Sequence, residues 1–397
     1  MSESVGKVVA RKRIRPKAKR WMLAAGTLGV TALAGAALPL SSASAQVMYP
    51  SGQLGTLHDK VVANTNNPVN GDTNPYGMAI VPFSSGNLVK GDLLVAEFNN
   101  AANTSGAGTS IVEINPMTGS VTQFVSAATL GNADLTGPVD IAINPSNDIV
   151  WVATFGSAAD GSNSSYLIIN SSGKLLDAET NASVAGNPSL MGFSNPFAGV
   201  WGGAVGIDYH TKTTSFYWTN IAGTYSAAGA GEIWRTDPKG PNVNTNSTFT
   251  PLVVGLPANA MALTGPKGLA YDERTGTLFF TESQTNAVYA IKNAATVMGP
   301  VTPQLVYQGG PLSTPQDIAI DPRTGHLYVV NGNAGMGTAN AIVELTQSGQ
   351  LVGVRDLAPM EAPGALFGVA ISNKTFGGLP IIYYDNADES TLHVLMK

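Results

Sequence analysis

Residues 263–291 read LTGPKGLAYDERTGTLFFTESQTNAVYAI, and this stretch decides the fold. It predicts three short strands, over residues 268–272, 277–281 and 287–291, because runs of apolar, aromatic and β-branched residues are bounded by turn-forming residues. A tight turn at residues 273–276 joins the first two strands, and a polar loop joins the second to the third. The stretch therefore predicts one small antiparallel sheet.

Near copies of its first strand recur along the chain, as NPYGMAI from residue 74, GPVDIAINP from 137, GAVGIDY from 203, TPQDIAIDPRTGHLYVV from 314 and LFGVAIS from 366. Aligning the residue before each short apolar strand gives Gly77, Asp140, Gly206, Gly268, Asp317 and Gly368, at spacings of 63, 66, 62, 49 and 51 residues. Six units of one small sheet each predict an all-β fold, a six-bladed β-propeller.

The two ends of the chain predict how the ring closes. The sixth unit offers only three strands before the chain stops, and residues 57–64 (LHDKVVAN) form one isolated strand ahead of the first unit. We expect this strand to complete the last blade, since a closed ring leaves few strand edges free. The alternative is a three-stranded last blade with a frayed N-terminus. Either way, residues 46–397 are predicted to be one propeller domain.

Residues 1–45 have the pattern of a signal peptide. Eight Lys and Arg side chains lie within residues 1–20, an apolar run follows at 21–40, and Ala43, Ser44 and Ala45 supply a small-residue cleavage site. We expect export by a bacterial-type signal to the periplasm or the exterior, with no membrane association after cleavage. The alternative is an uncleaved membrane anchor, because the apolar run approaches spanning length.

Charge and composition exclude several classes of function. Residues 46–397 keep 13 basic against 25 acidic side chains, a net charge of −12 without a basic cluster. This balance argues against nucleic acid and anionic membrane surfaces as partners. The chain has no cysteine, which excludes disulfides, thiolate metal sites, cysteine-ligated iron–sulfur clusters and c-type haem attachment.

Two sequence patterns resemble those of known six-bladed propeller families. The pattern G-x-A-x-D at residues 268–272, followed by LFFTE at 278–282, and YWTN at 217–220 resemble YWTD repeats. The units written P-x-D-I-A-I-D/N-P equally resemble NHL repeats. The resemblance implies architecture more than activity, since this fold carries receptors, scaffolds, lactonases and lyases. A distant similarity to gluconolactonase-type propellers would imply a divalent ion at the channel mouth, held by a Glu, Asns and an Asp. This sequence departs from that family in lacking a Glu-Gly-Pro-x-Trp start in its first blade.

Loop length predicts which face of the propeller is functional. Loops between second and third strands, such as residues 99–109 and 156–165, are long, whereas turns between first and second strands, such as 145–148 and 322–325, are short. Asp140 and Asp317 lie in opposite blades near the axis of the long-loop face, where the two carboxylates could bind a cation or share a proton. Alternatively, each caps its own blade by accepting backbone N–H groups.

A second group of oxygen-bearing side chains falls at the ends of second strands, on the same face. These candidate ligand-binding residues are Glu97, Asn99, Asn220, Glu282, Asn331 and Asp385, with Thr154 and Asn386 beside them. Such ligands suit one divalent cation, Ca²⁺ or Mg²⁺, better than a softer metal. The alternative is that they end the strands and satisfy loop backbone.

These observations favour a binding module that takes a protein or a small-molecule or carbohydrate ligand on its long-loop face. The chain has no G-x-S-x-G elbow and no zinc-like histidine spacing. A metal-dependent hydrolase or lactonase, built on Asp140, Asp317 and the second-strand oxygens, is the first alternative. A structural component of an extracellular layer or filament is the second.

Overall fold

The computed structural model describes residues 49–193, 195–209, 211–225, 229–239, 246–332 and 340–397. The predicted signal peptide at 1–45 lies outside them. The described residues belong to one compact unit, Met48–Lys397, in which strands far outnumber short helical turns. Within the described ranges, no helix is long and apolar enough to cross a membrane.

The first three blades are four-stranded antiparallel sheets whose strands follow one another in chain order. Blade 1 contains β2 (Thr73–Ile80), β3 (Leu93–Asn99), β4 (Ser110–Ile114) and β5 (Val121–Ser126). After the helical turn α1 (Ala127–Leu130), blade 2 contains β6 (Pro138–Ile143), β7 (Val150–Thr154), β8 (Ser165–Ile169) and β9 (Leu175–Glu179). Blade 3 contains β10 (Val200–Asp208), β11 (Thr213–Gly223), β12 (Ala230–Asp237) and β13 (Thr248–Leu256).

The other three blades repeat this plan. Blade 4, the stretch quoted first, contains β14 (Pro266–Asp272), β15 (Thr277–Glu282), β16 (Ala287–Ile291) and β17 (Gln304–Gln308). Blade 5 contains β18 (Pro315–Ile320), β19 (Leu327–Asn331), β20 (Ala341–Leu345) and β21 (Leu351–Asp356). Blade 6 contains β22 (Val369–Phe376), β23 (Leu379–Asn386) and β24 (Thr391–Met396), with β1 (His58–Asn64) as its outermost strand. The predicted six-bladed propeller is confirmed.

Blade 6 is closed by the N-terminal strand, as the sequence predicts. Strand β1 pairs antiparallel with β24, from His58 opposite Met396 to Asn64 opposite Thr391. Side chains reinforce the junction: Asp59 accepts a hydrogen bond of 2.8 Å from the Tyr384 hydroxyl and lies 3.2 Å from Nδ1 of His393. The ring is therefore joined through both ends of the domain.

The blades pack through apolar side chains, and the composition of these contacts changes around the ring. Between blades 2 and 3 the contact is aromatic, with the rings of Trp151 and Phe216 stacked at 4.3 Å. Between blades 4 and 5 it is mainly aliphatic. Every inner strand is thus held between two neighbouring sheets, so the first residues of the inner strands are fixed around the central channel.

The structure corrects the sequence alignment in blade 3. The position equivalent to Gly268 and Gly368 is Gly202, and Gly206 lies four residues further along β10. Gly202 N–H donates to the Thr219 hydroxyl at 2.8 Å, as Gly268 N–H donates to Thr281 at 3.0 Å. The sequence alignment failed here because β10 is nine residues long and contains a further glycine, Gly206, which is followed by Ile207 and Asp208 and so resembles the start of the other units.

Candidate functional site: the channel and the seam pocket

The channel residues form a ring of one position per blade, called here the axial ring: Gly77, Asp140, Gly202, Gly268, Asp317 and Gly368. The two aspartates make the same contacts. Oδ1 of Asp140 accepts from Ile141 N–H at 2.8 Å, and Oδ2 accepts from Gly203 N–H of blade 3 at 2.7 Å. Each aspartate thus caps its own inner strand and also ties the start of the next blade.

Asp317 repeats this arrangement on the opposite side of the ring. Its Oδ1 accepts from Ile318 N–H at 2.8 Å, and its Oδ2 accepts from Val369 N–H of blade 6 at 2.9 Å. The preceding blade must approach closely in both cases. A Cβ on Gly77 would lie 2.4 Å from the Cα of Asp140, and one on Gly268 would lie 2.4 Å from the Cα of Asp317. These two positions therefore require glycine because a side chain would clash with the neighbouring blade, and not because the backbone adopts a conformation that only glycine tolerates.

Above the axial ring, the residue that precedes each ring position fills the channel on the long-loop side. This entrance ring consists of Tyr76, Val139, Trp201, Lys267, Gln316 and Phe367. The Tyr76 ring stacks on Phe367 at 3.8 Å and approaches Trp201 at 6.0 Å. A cavity of about 10 Å³ remains between the two rings, lined by Tyr76, Val139, Trp201, Gln316 and Phe367 of the entrance ring and by Gly77, Asp140, Gly268 and Asp317 of the axial ring. The channel is therefore largely closed by its own side chains.

Lys267 is the one basic member of the entrance ring. Its ammonium lies 4.0 Å above the Trp201 ring and donates to the Gln316 side-chain oxygen. The residue is 2 % exposed, and this burial lowers the pKa of Lys267 to about 7. When Lys267 is charged, its cation–π contact with Trp201 partly offsets the free energy lost by removing the ammonium from water.

Burial also governs the two axial carboxyls. It raises the pKa of Asp140 well above its ordinary value, and the charge of Asp317 raises it further. Burial likewise raises the pKa of Asp317, against the effect of its two backbone hydrogen bonds. Because both oxygens of each side chain already accept an N–H, the pair suits a hydrogen-bonded clamp better than an ion. The assignment of Asp140 and Asp317 as metal ligands stays a prediction.

Four of the six second-strand candidates hold loop backbone. Asn220 donates to Pro196 O at 2.7 Å and accepts from Ala198 N–H at 3.3 Å. Asn331 does the same two blades further around the ring, donating to Pro311 O at 2.8 Å and accepting from Ser313 N–H at 3.1 Å. These two asparagines fix the loop that enters their blade.

The two acidic candidates of blades 4 and 6 also satisfy backbone. Glu282 accepts from Gln284 N–H at 3.2 Å and Thr285 N–H at 2.7 Å. Asp385 accepts from Phe367 N–H at 2.9 Å and Gly368 N–H at 3.0 Å. These contacts match the structural alternative for these residues, while their role in ligand binding stays a prediction.

The two candidates of blade 1 behave differently. Asn99 is held by its own loop, donating to Asn103 Oδ1 at 2.7 Å and accepting from Gly106 N–H at 3.2 Å. Glu97 is fully buried, and neither of its carboxylate oxygens has a hydrogen-bond partner among the described residues. Burial raises the pKa of Glu97 well above its ordinary value, and the charges of Asp385 and Asp72 raise it further.

Asn99 lines an open pocket on the long-loop face, where blade 6 meets blade 1. This seam pocket holds about 740 Å³ of empty space, part of it open to solvent. Its polar side chains are those of Asn66, Thr73, Asn74, Asn99, Asn103, Asp388 and Ser390. The Thr73 hydroxyl bridges the two blades, because it lies 2.7 Å from Asn66 Oδ1 and 2.6 Å from the Ser390 hydroxyl.

The backbone of the seam pocket is strained in three places. Asn74, Asn103 and Ser390 have φ angles of 70°, 56° and 53°. The left-handed region is unusual for residues other than glycine, and asparagine tolerates it better than serine does. Such conformations persist where the surrounding structure enforces them, and they cluster at functional sites.

Sequence reasoning found Asn99 but missed the other residues of the seam pocket. Asn66, Thr73 and Asn74 precede the first inner strand, and Asp388 and Ser390 lie in the last hairpin, more than 300 residues away. Once β1 is assigned to blade 6, the polar run at 64–74 is the signal that could have located this pocket. The entrance ring was also missed, because its six members share a position but no chemistry.

No family model and no curated protein matches this chain. Solved structures with a similar fold include a gluconolactonase from Xanthomonas campestris, with 12% identity, a TM-score of 0.54, and coverage of 88% of this chain and 95% of that chain. A luciferin-regenerating enzyme has 12% identity, a TM-score of 0.51, and coverage of 86% and 95%. A calcium-binding regucalcin from Agrobacterium tumefaciens has 12% identity, a TM-score of 0.50, and coverage of 85% and 93%. At this identity the likeness shows the fold alone.

Proposed function

We propose that the chain is a binding module that takes a hydroxyl-rich ligand of the carbohydrate class in the seam pocket. The observation that carries this proposal is the contrast between a filled channel and an open polar pocket on the same face. Pockets that bind small ligands typically measure about 300–1,000 Å³. Without its share of open solvent, the seam pocket has a volume of about 370 Å³, which falls in that range.

The chemistry of the lining supports a carbohydrate rather than an anion or an apolar ligand. Asparagine amides both donate and accept hydrogen bonds, and serine and threonine hydroxyls do the same, which matches the alternating donors and acceptors of a sugar. The pocket lining contains Asp388 and no basic side chain. Its residues are held in place before any ligand arrives, because Asn99, Asn103, Thr73 and Ser390 already bond one another in pairs.

A panel of neutral and amine-bearing oligosaccharides tests the proposal, first on an array and then by calorimetry. We expect Asn103→Ala to weaken binding by roughly tenfold or more, since one lost hydrogen bond in a binding site costs about 1–2 kcal/mol. Asn147→Ala, an exposed asparagine on the short-turn face, is the matched control. Absence of binding across the panel, or equal loss in both variants, would contradict the proposal.

A second candidate function is a metal-dependent lactonase at the channel. Two observations favour it: Asp140 and Asp317 line one cavity, and burial raises the pKa of both. The gluconolactonase fold likeness is consistent with this reading. Hydrolysis of a sugar lactone that is lost both with EDTA and in Asp140→Asn would support it, and inactivity with added Ca²⁺ or Mg²⁺ would remove it.

The proposal includes export of the module from the cytoplasm. The basic segment followed by an apolar run in residues 1–40, with Ala-Ser-Ala at 43–45, supports it. Mass spectrometry of the protein from an expressing bacterium should find a mature chain that begins at Gln46. A chain that retains residues 1–45 would instead support the membrane anchor.

A further inference from the structure

Glu97 lies on β3, the strand whose last residue, Asn99, lines the seam pocket. It stands two residues before Asn99 on β3, and because successive side chains of a strand alternate, both lie on the same face of that strand. Leu93 and Val95 share this face, and they pack against Ala370 and Leu392 of blade 6. Glu97 therefore points into the contact between blades 1 and 6, with Asn99 above it in the pocket.

Two buried polar groups meet there without a protein partner. Thr65, which follows β1, is 0 % exposed, and its hydroxyl has no partner among the described residues; the same is true of both Glu97 carboxylate oxygens. The Thr65 hydroxyl is near enough to lower the pKa of Glu97 in part, although the two groups do not reach hydrogen-bond geometry. Leaving a buried polar group unpaired is unfavourable, and leaving a buried charge unpaired is more so.

The surroundings of Glu97 favour a positive partner. Asp72 and Asp385 both act on it electrostatically, and the pocket above adds Asp388. Asp385 accepts backbone N–H groups through both of its oxygens, and Oδ2 of Asp72 accepts from Thr109 N–H at 2.7 Å and from the Ser110 hydroxyl at 2.8 Å. Of these three buried carboxyls, Glu97 is the one with neither oxygen hydrogen-bonded among the described residues.

We propose that Glu97 and Thr65 bind a hard divalent cation at the base of the seam pocket, with water or ligand hydroxyl groups completing its coordination. Carboxylate and hydroxyl oxygens suit Ca²⁺ and Mg²⁺, which accept several waters among their ligands. No three acidic or histidine side chains of the described ranges converge to hold an ion by themselves, so Glu97 would be its one charged ligand.

This inference goes beyond the proposed function and does not depend on it. A cation at this position would be retained whether or not a sugar occupies the pocket. It would also join the two blades that contain the chain ends, since Thr65 follows the strand that closes blade 6 and Glu97 belongs to blade 1. Bound Ca²⁺ should therefore raise the melting temperature as well as give a binding signal.

The test measures Ca²⁺ binding to the EDTA-treated full chain by calorimetry, with Tb³⁺ luminescence as a second readout. We expect one Ca²⁺ per chain and a higher melting temperature with Ca²⁺. In Glu97→Gln, which keeps the side-chain shape, affinity should fall by more than about tenfold because the ion loses its charged ligand. The melting temperature of this variant should no longer respond to Ca²⁺.

Glu179→Gln is the matched control. Glu179 is also fully buried, and both of its oxygens lack partners among the described residues, but it ends the outermost strand of blade 2, away from the seam pocket. The Glu179→Gln variant should bind Ca²⁺ with the affinity of the unaltered chain. Thr65→Val, which also keeps the side-chain shape, is the second variant in case Glu97→Gln fails to fold. It should weaken Ca²⁺ binding because it removes the hydroxyl ligand.

Three outcomes would overturn the inference. The first is no Ca²⁺ binding and no Ca²⁺-dependent melting in the unaltered chain, which would mean that Glu97 is a protonated, neutral group. The second is equal affinity in Glu97→Gln and the unaltered chain. The third is loss of binding in Asp140→Asn with retention in Glu97→Gln, which would place the ion in the channel. None of these results concerns sugar binding, so a failure of the proposed function remains distinguishable.

Discussion

Blades 1–3 and blades 4–6 form two half-rings that share one backbone plan but differ in chemistry. Both contain the sequence Gly, Asp, Gly along the axial ring, and Asp140 and Asp317 make matching hydrogen bonds to the next blade. The entrance ring does not follow this symmetry, because Tyr76 of blade 1 corresponds to Lys267 of blade 4. The axial-ring residues, which the two half-rings share, hold neighbouring blades together. The entrance-ring residues, which differ, give the two halves of the channel entrance different chemistry.

Glu97 and Glu282 show most clearly how equivalent residues acquire different roles. Both lie on the second strand of the first blade in their half-ring, each opposite a proline of the inner strand, Pro75 for Glu97 and Pro266 for Glu282. In blade 4 the following loop is short, so its N–H groups return to the Glu282 carboxylate. In blade 1 the loop runs from residue 100 to 109 and is held by Asn99 and Asp72 instead, leaving Glu97 without these donors. Loop length alone therefore separates a structural glutamate from a candidate ligand.

The largest expected effect comes from breaking the clamp in either half-ring. Gly77→Ala and Gly268→Ala would each force a methyl group against the backbone of the neighbouring aspartate, at 2.4 Å from its Cα. We expect each to lower the free energy of unfolding by about 3 kcal/mol or more, measured by urea denaturation. Gly299→Ala is the control, because its Cβ would meet no atom within 4 Å. A large effect at only one of the two glycines would show that the half-rings are not mechanically equivalent.

Replacing Lys267 tests the difference between the entrance-ring residues of the two half-rings. Burial lowers the pKa of Lys267 from 10.5 to about 7, so between these values the unfolded chain binds one more proton than the folded one. Stability should therefore rise with pH in this window, by at most about 1.4 kcal/mol per pH unit from this residue. Lys267→Met should remove that rise in urea unfolding at pH 7, 8 and 9, whereas exposed Lys374→Met should retain it. If the free energy of unfolding changed with pH in the same way in all three proteins, the lowered pKa would not belong to Lys267.

The smallest expected effect concerns the closure of blade 6, which has no counterpart in the other half-ring. Burial alone would raise the pKa of Asp59, but hydrogen bonds from His393 and Tyr384, together with the charges of His393 and Arg355, lower it below its ordinary value. The carboxylate therefore contributes stability above the ordinary pKa of aspartate, and this contribution is lost as the pH falls through the lowered one.

Asp59→Ala should cost about 1 kcal/mol at pH 7, because the carboxylate is partly exposed. The difference from the unaltered chain should shrink towards pH 3, as measured by urea unfolding at several pH values. Asp134→Ala, at an exposed position of blade 2, should change little at any pH. A difference for Asp59→Ala that grows as the pH falls would contradict the sign of this prediction.

The sequence predicted the architecture well because its information is local. The strand pattern at residues 268–272 and its five near copies each predict one antiparallel sheet, whose strands are joined by local turns. The number of copies predicts the number of blades in the ring. The strand predicted at residues 57–64 was identified by what the last unit lacked, and its pairing with β24, as His58–Asn64, is confirmed. The alignment failed in blade 3, where the long strand β10 contains both Gly202, the axial position, and Gly206, which the apolar pattern selected.

The candidate site was less predictable, since it depends on which groups already have partners. Asn220, Glu282, Asn331 and Asp385 carry the residue types of a ligand site, yet each holds nearby backbone in the folded chain. Whether an oxygen is used or free depends on loop geometry, which no residue type specifies.

By itself, then, the amino-acid sequence determined the number of blades, their four-strand plan and the closure of the ring, because repeated local patterns and turn residues specify these. Only the tertiary structure decided that side chains from six blades close the channel. It also decided that residues 65–74, 97–103 and 387–390 meet in one pocket above an unpaired Glu97. The physical reason is that closing the ring brings the two chain ends together, and contacts across that junction have no signature in either segment alone.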